Sequence, residues 1–245
     1  MRIQSLLLFL AIASLALVGC DQGSPLTGTS PEGSLATLGH PQELPEFVSA
    51  IDNPLLPLIP GTVFTYRGTR DDQIEINRVH VTHRIKVILG VDCTVVEDSS
   101  YVDGTLHEAT LDWYAQDEDG NVWYFGEDTK EFEPGQPPNT EGSWEAGVDG
   151  AEAGIAMEAD PKVGDSYRQE FLRGVAEDRA KVESLDDAVE VPYGSFTDCL
   201  RTKESTRLEP GVRENKWYAR NVGFLKAVTI HGGDDVSELV DVSQE

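Results

Sequence analysis

A mainly β fold, a single antiparallel meander curling into a strongly curved sheet or incomplete barrel, is what this sequence predicts. No window keeps apolar residues at i, i+3, i+4 and i+7 for more than about two turns, and Gly and Pro interrupt at short intervals. About ten segments with strand-like composition are instead joined by short turns, the pattern of consecutive antiparallel strands. Of the 245 residues, roughly 200 remain for folding after the N-terminal segments described below, enough for one domain with a sizeable core.

Taken in order, "IDNPLLPLIPG" carries three prolines that oppose both helix and central strand, and "TVFTYRG" follows as a first strand. "QIEINRVHVTHRIKVILG" alternates on Ile74 and Ile76 and then on Val79, Val81, Ile85 and Val87, so its apolar phase slips near Asn77; a bulge or tight turn is expected there. "CTVVEDSSYV" leads through the hairpin turn "VDGT" into "LHEATLDWYAQ", "DEDGN" turns the chain again, and "VWYFGE" returns it. A Gly- and Pro-rich loop is expected over about 133–155. The later strand candidates are "SYRQEFLRG", "DRAKVESL", "VEVP", "TDCLRTKES", "NKWYA" and "VGFLKAVTI".

The N-terminus reads as an address. Arg2 precedes the apolar run Ser5–Val18, which is of signal-peptide length and short of the roughly 20 residues a bilayer-spanning helix needs. Leu17, Val18, Gly19 and Cys20 resemble the lipobox of bacterial lipoprotein precursors, with Val18 where that family prefers Ala or Ser. The resemblance implies cleavage before Cys20 and lipidation of Cys20, with membrane attachment through more than one acyl chain. In enteric lipoproteins an Asp at the next position, here Asp21, signals inner-membrane retention. The expected organisation is a signal peptide over 1–19, lipidated Cys20 and a flexible Gly/Ser/Pro-rich tether over 20–45, and a β domain over 46–242. The expected location is the bacterial cell envelope, facing the periplasm or exterior.

Charge narrows the partners. With 44 acidic against 19 basic residues and a formal net charge of −25, nucleic acid and anionic surfaces are disfavoured. Beyond Cys20 the chain holds Cys93 and Cys199, an even pair in an oxidising compartment, and a disulfide between them is expected. Alternation puts Cys93 with Val91 and Val95 but Cys199 with Thr197 and Arg201, so both face the core only if a bulge shifts the register; two separate buried thiols are the alternative.

The blocks "LDWYAQDEDGNVWYFGEDTKE", "GSWEAGVDGAEAGI", "VGDSYRQEF", "VPYGSFTDCLRTKE", "LEPG" and "KWYARNVGFLKAV" resemble those of a family of uncharacterised bacterial exported proteins, over about 50–228. Ala219–Gly223 read "ARNVG" where that family usually has "APGVG". The resemblance implies a shared fold and no activity.

Catalytic and metal motifs are weak. His80 and His83 sit at an odd separation on a strand, which sends them to opposite faces. "VGDSY" lacks the partners of a serine-hydrolase block, "GSWEAG" is not a nucleophile elbow, and "GVDGAEAG" lacks the basic residue of a phosphate loop. The acids of "DEDGN" suit a hairpin turn better than a calcium loop. No cofactor and no metal are expected. In "LHEATLDWYAQ" and "VWYFGE", alternation puts Glu108, Asp112, Tyr114 and Tyr124 to one side, opposite Trp113. That side is expected to be accessible and to contact a ligand or partner, an envelope protein or an amphipathic small molecule, in a non-enzymatic binding or interaction module. An envelope enzyme using the carboxylates of Glu108 and Asp112 is the alternative.

Overall fold

Short turns alternate with strands along the described chain, residues 42–70 and 72–245 of this computed structural model. A first series comprises β1 (Phe47–Val48), β2 (Thr62–Arg70), β3 (Gln73–Ile88), β4 (Val91–Val102), β5 (Thr105–Asp117) and β6 (Val122–Glu131). Four short strands follow: β7 (Trp144–Glu145), β8 (Glu152–Met157), β9 (Ser166–Arg168) and β10 (Glu170–Phe171). The last series is β11 (Asp178–Val191), β12 (Gly194–Thr206), β13 (Arg213–Ala219), β14 (Gly223–His231) and β15 (Val236–Gln244). One sheet holds them in the order β10-β8-β6-β5-β4-β3-β2-β15-β14-β13-β12-β11-β9, with β1 on β5 and β7 on β6. The expected antiparallel meander and curved sheet are present, as two meanders joined where β15 pairs with β2.

The sheet curls into a nearly closed barrel whose open seam lies between β10 and β9. Residues 166–171 cross that seam. Arg168 pairs with Arg179 of β11, and two residues later Glu170 pairs with Ala153 of β8. Gly154 permits the crossing, because a Cβ there would lie 2.3 Å from the Gln169 backbone. Residues 51–60 lie across one end: Ile51, Leu55, Leu56 and Leu58 are buried, the Asn53 side chain donates to the Gly120 carbonyl (2.8 Å), and the Asn221 N–H donates to Pro54 (2.6 Å). The prolines that oppose a strand thus belong to a plug tying the β5–β6 turn to the β13–β14 turn.

Several expectations are corrected. β3 runs unbroken through Asn77, and its register shift lies between Val81 and Ile85. The apolar phase changes at Asn77 because Glu75 and Asn77 are buried in the interior with Val79 and Val81, while Ile74 is exposed. The 133–155 loop contains β7 and the start of β8, "DRAKVESL" and "VEVP" are one strand, β11, with three register shifts, and β15 was not among the expected strands. The folded body also starts earlier and ends later than 46–242: the Gln42 side chain exchanges two hydrogen bonds with the Ala153 backbone (2.8 and 2.9 Å), and the Glu245 N–H donates to Gly61 (2.8 Å). Positions 1–19, Cys20 and Asp21 lie outside the described residues.

Candidate functional site

Alternation along the long strands gives the barrel an interior that is apolar near the plug and acidic toward the opposite end. Near the plug, Tyr66, Val79, Val81, Val96, Phe224 and Leu239 are buried, and the Phe224 ring lies 5.1 Å from Tyr66 and 5.6 Å from Tyr218. Toward the other end the same faces bury Glu75, Asp98, Glu108, Asp112, Glu127, Glu170, Asp178 and Glu204. Among the described residues only two buried cations oppose them, Arg70 and Lys216.

The two cations serve different strands. Lys216 on β13 reaches Glu204 at 2.8 Å and Glu214 at 3.3 Å, and Tyr218 donates to Glu204 (3.3 Å). Arg70 lies 3.5 Å from Glu75, whose Oε1 also accepts from Ser100 (2.6 Å). From β4 to β6 the acids are held by neutral donors: Asn77 donates to Asp98 (2.5 Å), Thr110 to Glu108 (3.3 Å) and Tyr124 to Asp112 (2.7 Å). Glu75 Oε2, Glu108 Oε2, Asp112 Oδ2, Glu127 Oε2 and the Tyr114 hydroxyl are buried without a hydrogen-bond partner.

Burial without sufficient counter-charge favours the protonated acid. It pushes Glu108 up to about 8, with Asp98 adding repulsion and Arg70 partly opposing, and pushes Asp112 up to about 8 against the Tyr124 hydrogen bond. Asp98, Glu127 and Glu170 are also raised, chiefly by burial. Beside Lys216, burial takes Asp178 and Glu214 only to about 7, because the ammonium opposes it. Burial works against the Lys216 charge, but Glu204 and Glu214 outweigh it and hold the lysine above its ordinary value.

The four expected contact residues do converge. Tyr114 and Tyr124 pair across β5 and β6 with rings stacked 4.9 Å apart. The expectation that this side is accessible is corrected: Tyr114, Tyr124 and Asp112 are fully buried and Glu108 nearly so, because the sheet closes around that face. Trp113, on the opposite parity, is also buried, since the segment around β7 covers the outside of the sheet.

The expected disulfide is not formed in the structure: Cys93 and Cys199 are free, buried thiols. Five strands separate β4 from β12 in the sheet order, whereas a disulfide needs Cα atoms within about 7 Å. Both cysteines still face protein, because Asp198 adopts φ 56° and the β11–β12 register shifts beside the Cys199↔Asp187 pair. Burial pushes the Cys93 thiol up to about 12.

Other motifs take structural roles. Asp117 accepts from the backbone and side chain of Asn121 and from the Trp123 indole (2.8–2.9 Å), which fixes the β5–β6 turn. His80 lies 3.5 Å from both Glu97 and Glu245. No group of three or more His, Cys, Asp or Glu among the described residues is arranged to hold a metal ion.

An accessible groove lies on the outside of the sheet. This groove of about 600 Å³ is lined by residues including Ile85, Lys86, Leu111, Trp113, Trp144, Glu145 and Val148. The Lys86 ammonium stands 3.3 Å from the centroid of the Trp113 ring and 2.7 Å from Glu145, while Ile85 and Val148 are half exposed. Neither Lys86 nor Val148 carried a motif. The signal available was the cluster "RIKVIL", whose aliphatic density exceeds what an exposed hairpin tip needs.

No protein-family model matches the chain, and no curated protein matches it. Two solved structures are similar in fold. One, from Bacteroides fragilis, is described as an exported protein with a YmcC-like fold; it shares 15% identity at a TM-score of 0.47, covering 78% of this chain and 99% of its own. The other, from Parabacteroides distasonis, is described as a lipoprotein; it shares 11% identity at a TM-score of 0.42, covering 82% of this chain and 100% of its own.

Proposed function

We propose that the protein is a lipid-anchored protein of the bacterial cell envelope that acts as a non-enzymatic binding module, with the outer groove as its site for an amphipathic small molecule. The lipobox-like "LVGC" ending at Cys20 supports the anchor. The observation that carries binding is the groove: about 600 Å³, within the range of small-molecule sites, with aliphatic walls and the paired Lys86 and Glu145 supplying polar contacts. Burial of Glu108 and Asp112 speaks against their use as substrate-facing acid and base.

Anchoring is tested by intact mass and fractionation after expression in a bacterium with the lipoprotein pathway. An acylated chain beginning at Cys20 is expected, and persistence of membrane association in Cys20→Ser overturns it. Binding is tested by native mass spectrometry of the Cys20→Ser chain purified without detergent. A discrete non-covalent adduct is expected, lost in Val148→Glu; its retention in that variant would place the ligand elsewhere.

A further inference from the structure

The ribbon made by the ends of β3 and β4 leaves the barrel wall. β2 pairs with β3 only as far as Val63↔His80, the Gly61 N–H adds one bond to the Val81 carbonyl (2.7 Å), and beyond it no strand among the described residues pairs with that side of β3. β4 stays in register with β3 to Ile88↔Val91 but parts from β5 after Thr94↔Tyr114, and β1 takes the vacated edge at Gln116 and Asp117. Leu89 and Gly90, at φ 52° and 86°, form a two-residue loop, so Ile88 and Val91 are a hydrogen-bonded pair and Lys86 with Cys93 the next. Ile85 and Val87 fall in the non-bonded pairs. Their N–H and C=O groups therefore point away from β4, along a free edge.

Among the described residues, no side chain guards that edge. Natural proteins commonly place a lysine on such strands, but here Lys86 is turned onto Trp113 and held by Glu145, and Arg84 is held by Glu97 (2.6 Å). Ile85 is 53% and Val87 64% exposed. Leu89 is exposed as well, at a left-handed turn position that Gly and Asn ordinarily occupy.

We propose that the free edge at Ile85 and Val87 docks an extended segment of a partner protein, which adds a strand to the sheet. Lipid is a poor occupant, because unpaired backbone N–H and C=O groups are costly in hydrocarbon. A second copy brings another −25 charges and is repelled. The cations of the ribbon are already paired, whereas Asp92, opposite Val87, is exposed. The chemistry that fits is a strand with alternating aliphatic side chains and a basic residue to meet Asp92. The edge touches the groove only along its Arg84–Lys86 wall, and the proposal stands whether or not the groove holds a small molecule.

The probe is an acetylated, amidated nonapeptide alternating valine and threonine with one terminal lysine, titrated against the full chain, beside the same peptide N-methylated at alternate amides on either strand face. The unmodified peptide is expected to bind, with one methylated version weaker by at least about tenfold. Val87→Pro removes an edge N–H that makes no bond to β4 and is expected to weaken binding by at least about tenfold with circular dichroism and Tm retained; if that variant misfolds, Val87→Lys, which guards the edge and leaves the backbone intact, gives the same loss. Val148→Glu leaves peptide affinity unchanged, which separates this result from the groove. Equal binding of all peptides, no binding by the wild-type chain at millimolar peptide, self-association abolished by Val87→Lys, or vesicle flotation abolished by it would each overturn the proposal.

Discussion

Val79 and Val81 face the same interior as Glu75 and Asn77, on one strand and a few residues apart, yet the two ends of the barrel are held by different physics. Near the plug, aliphatic and aromatic side chains remove apolar area from water, a contribution insensitive to pH. At the acidic end, carboxyl groups outnumber cations, so the folded state retains protons that the unfolded chain would release. The contrast teaches that burial alone does not define this core: whether a buried group stabilises depends on what neutralises it.

The largest expected effect falls where the acidic end relies on its own cation. Lys216→Met leaves Glu204 and Glu214 buried without the ammonium and is expected to cost about 3–5 kcal/mol near pH 8. Denaturant melts at pH 5, below the value of about 7 at which burial holds Glu214, should show a smaller loss, because that acid can then take up a proton; an equal loss at both pH values would mean the lysine acts through packing. Leu58→Ala, which opens a cavity under the plug (Leu58 is 1% exposed), is expected to cost about 2–5 kcal/mol at either pH. Tyr124→Phe removes the donor to Asp112 and should cost about 1–3 kcal/mol, more at high pH than at low.

A smaller, graded effect is the pH slope. Glu108 and Asp112 sit at about 8 in the folded chain against about 4 unfolded, so between those values the native state binds more protons than the unfolded one. Their contribution is therefore most favourable below about pH 4, declines by up to about 1.4 kcal/mol per pH unit for each retained proton, and levels off above about pH 8. Glu108→Gln with Asp112→Asn should flatten the decline. Both cysteines should resist thiol reagents in the native protein and react after denaturation, and peptide maps without reductant should lack a Cys93–Cys199 crosslink.

How far the sequence could be read follows the same division. Turn chemistry was legible: Asp103 and Gly104 take the left-handed conformations their hairpin requires, and "DEDGN" turns where expected. The apolar half of β3 was legible because Val79 and Val81 obey period-two burial. Its acidic half was not, since Ile74 faces solvent while Glu75 is buried, and hydropathy assigns those two positions the opposite way. The parity of Glu108, Asp112, Tyr114 and Tyr124 was legible from alternation. Their burial was not, because it depends on β15 meeting β2 and on residues 166–171 crossing the seam, pairings distant in sequence. Cys199 was obscured by the left-handed Asp198, a residue that carries no glycine to announce it.

Burial and neutral donors leave Glu108 and Asp112, between β4 and β6, to be neutralised by protons. Infrared spectra of the protein labelled in its Asp and Glu carboxyl carbons, recorded across pH 5–9, test this neutralisation directly. A protonated-carboxyl band is expected that survives at pH 7, fades toward pH 9 and shrinks in Glu108→Gln with Asp112→Asn. Complete ionisation by pH 6 with the fold intact would contradict it.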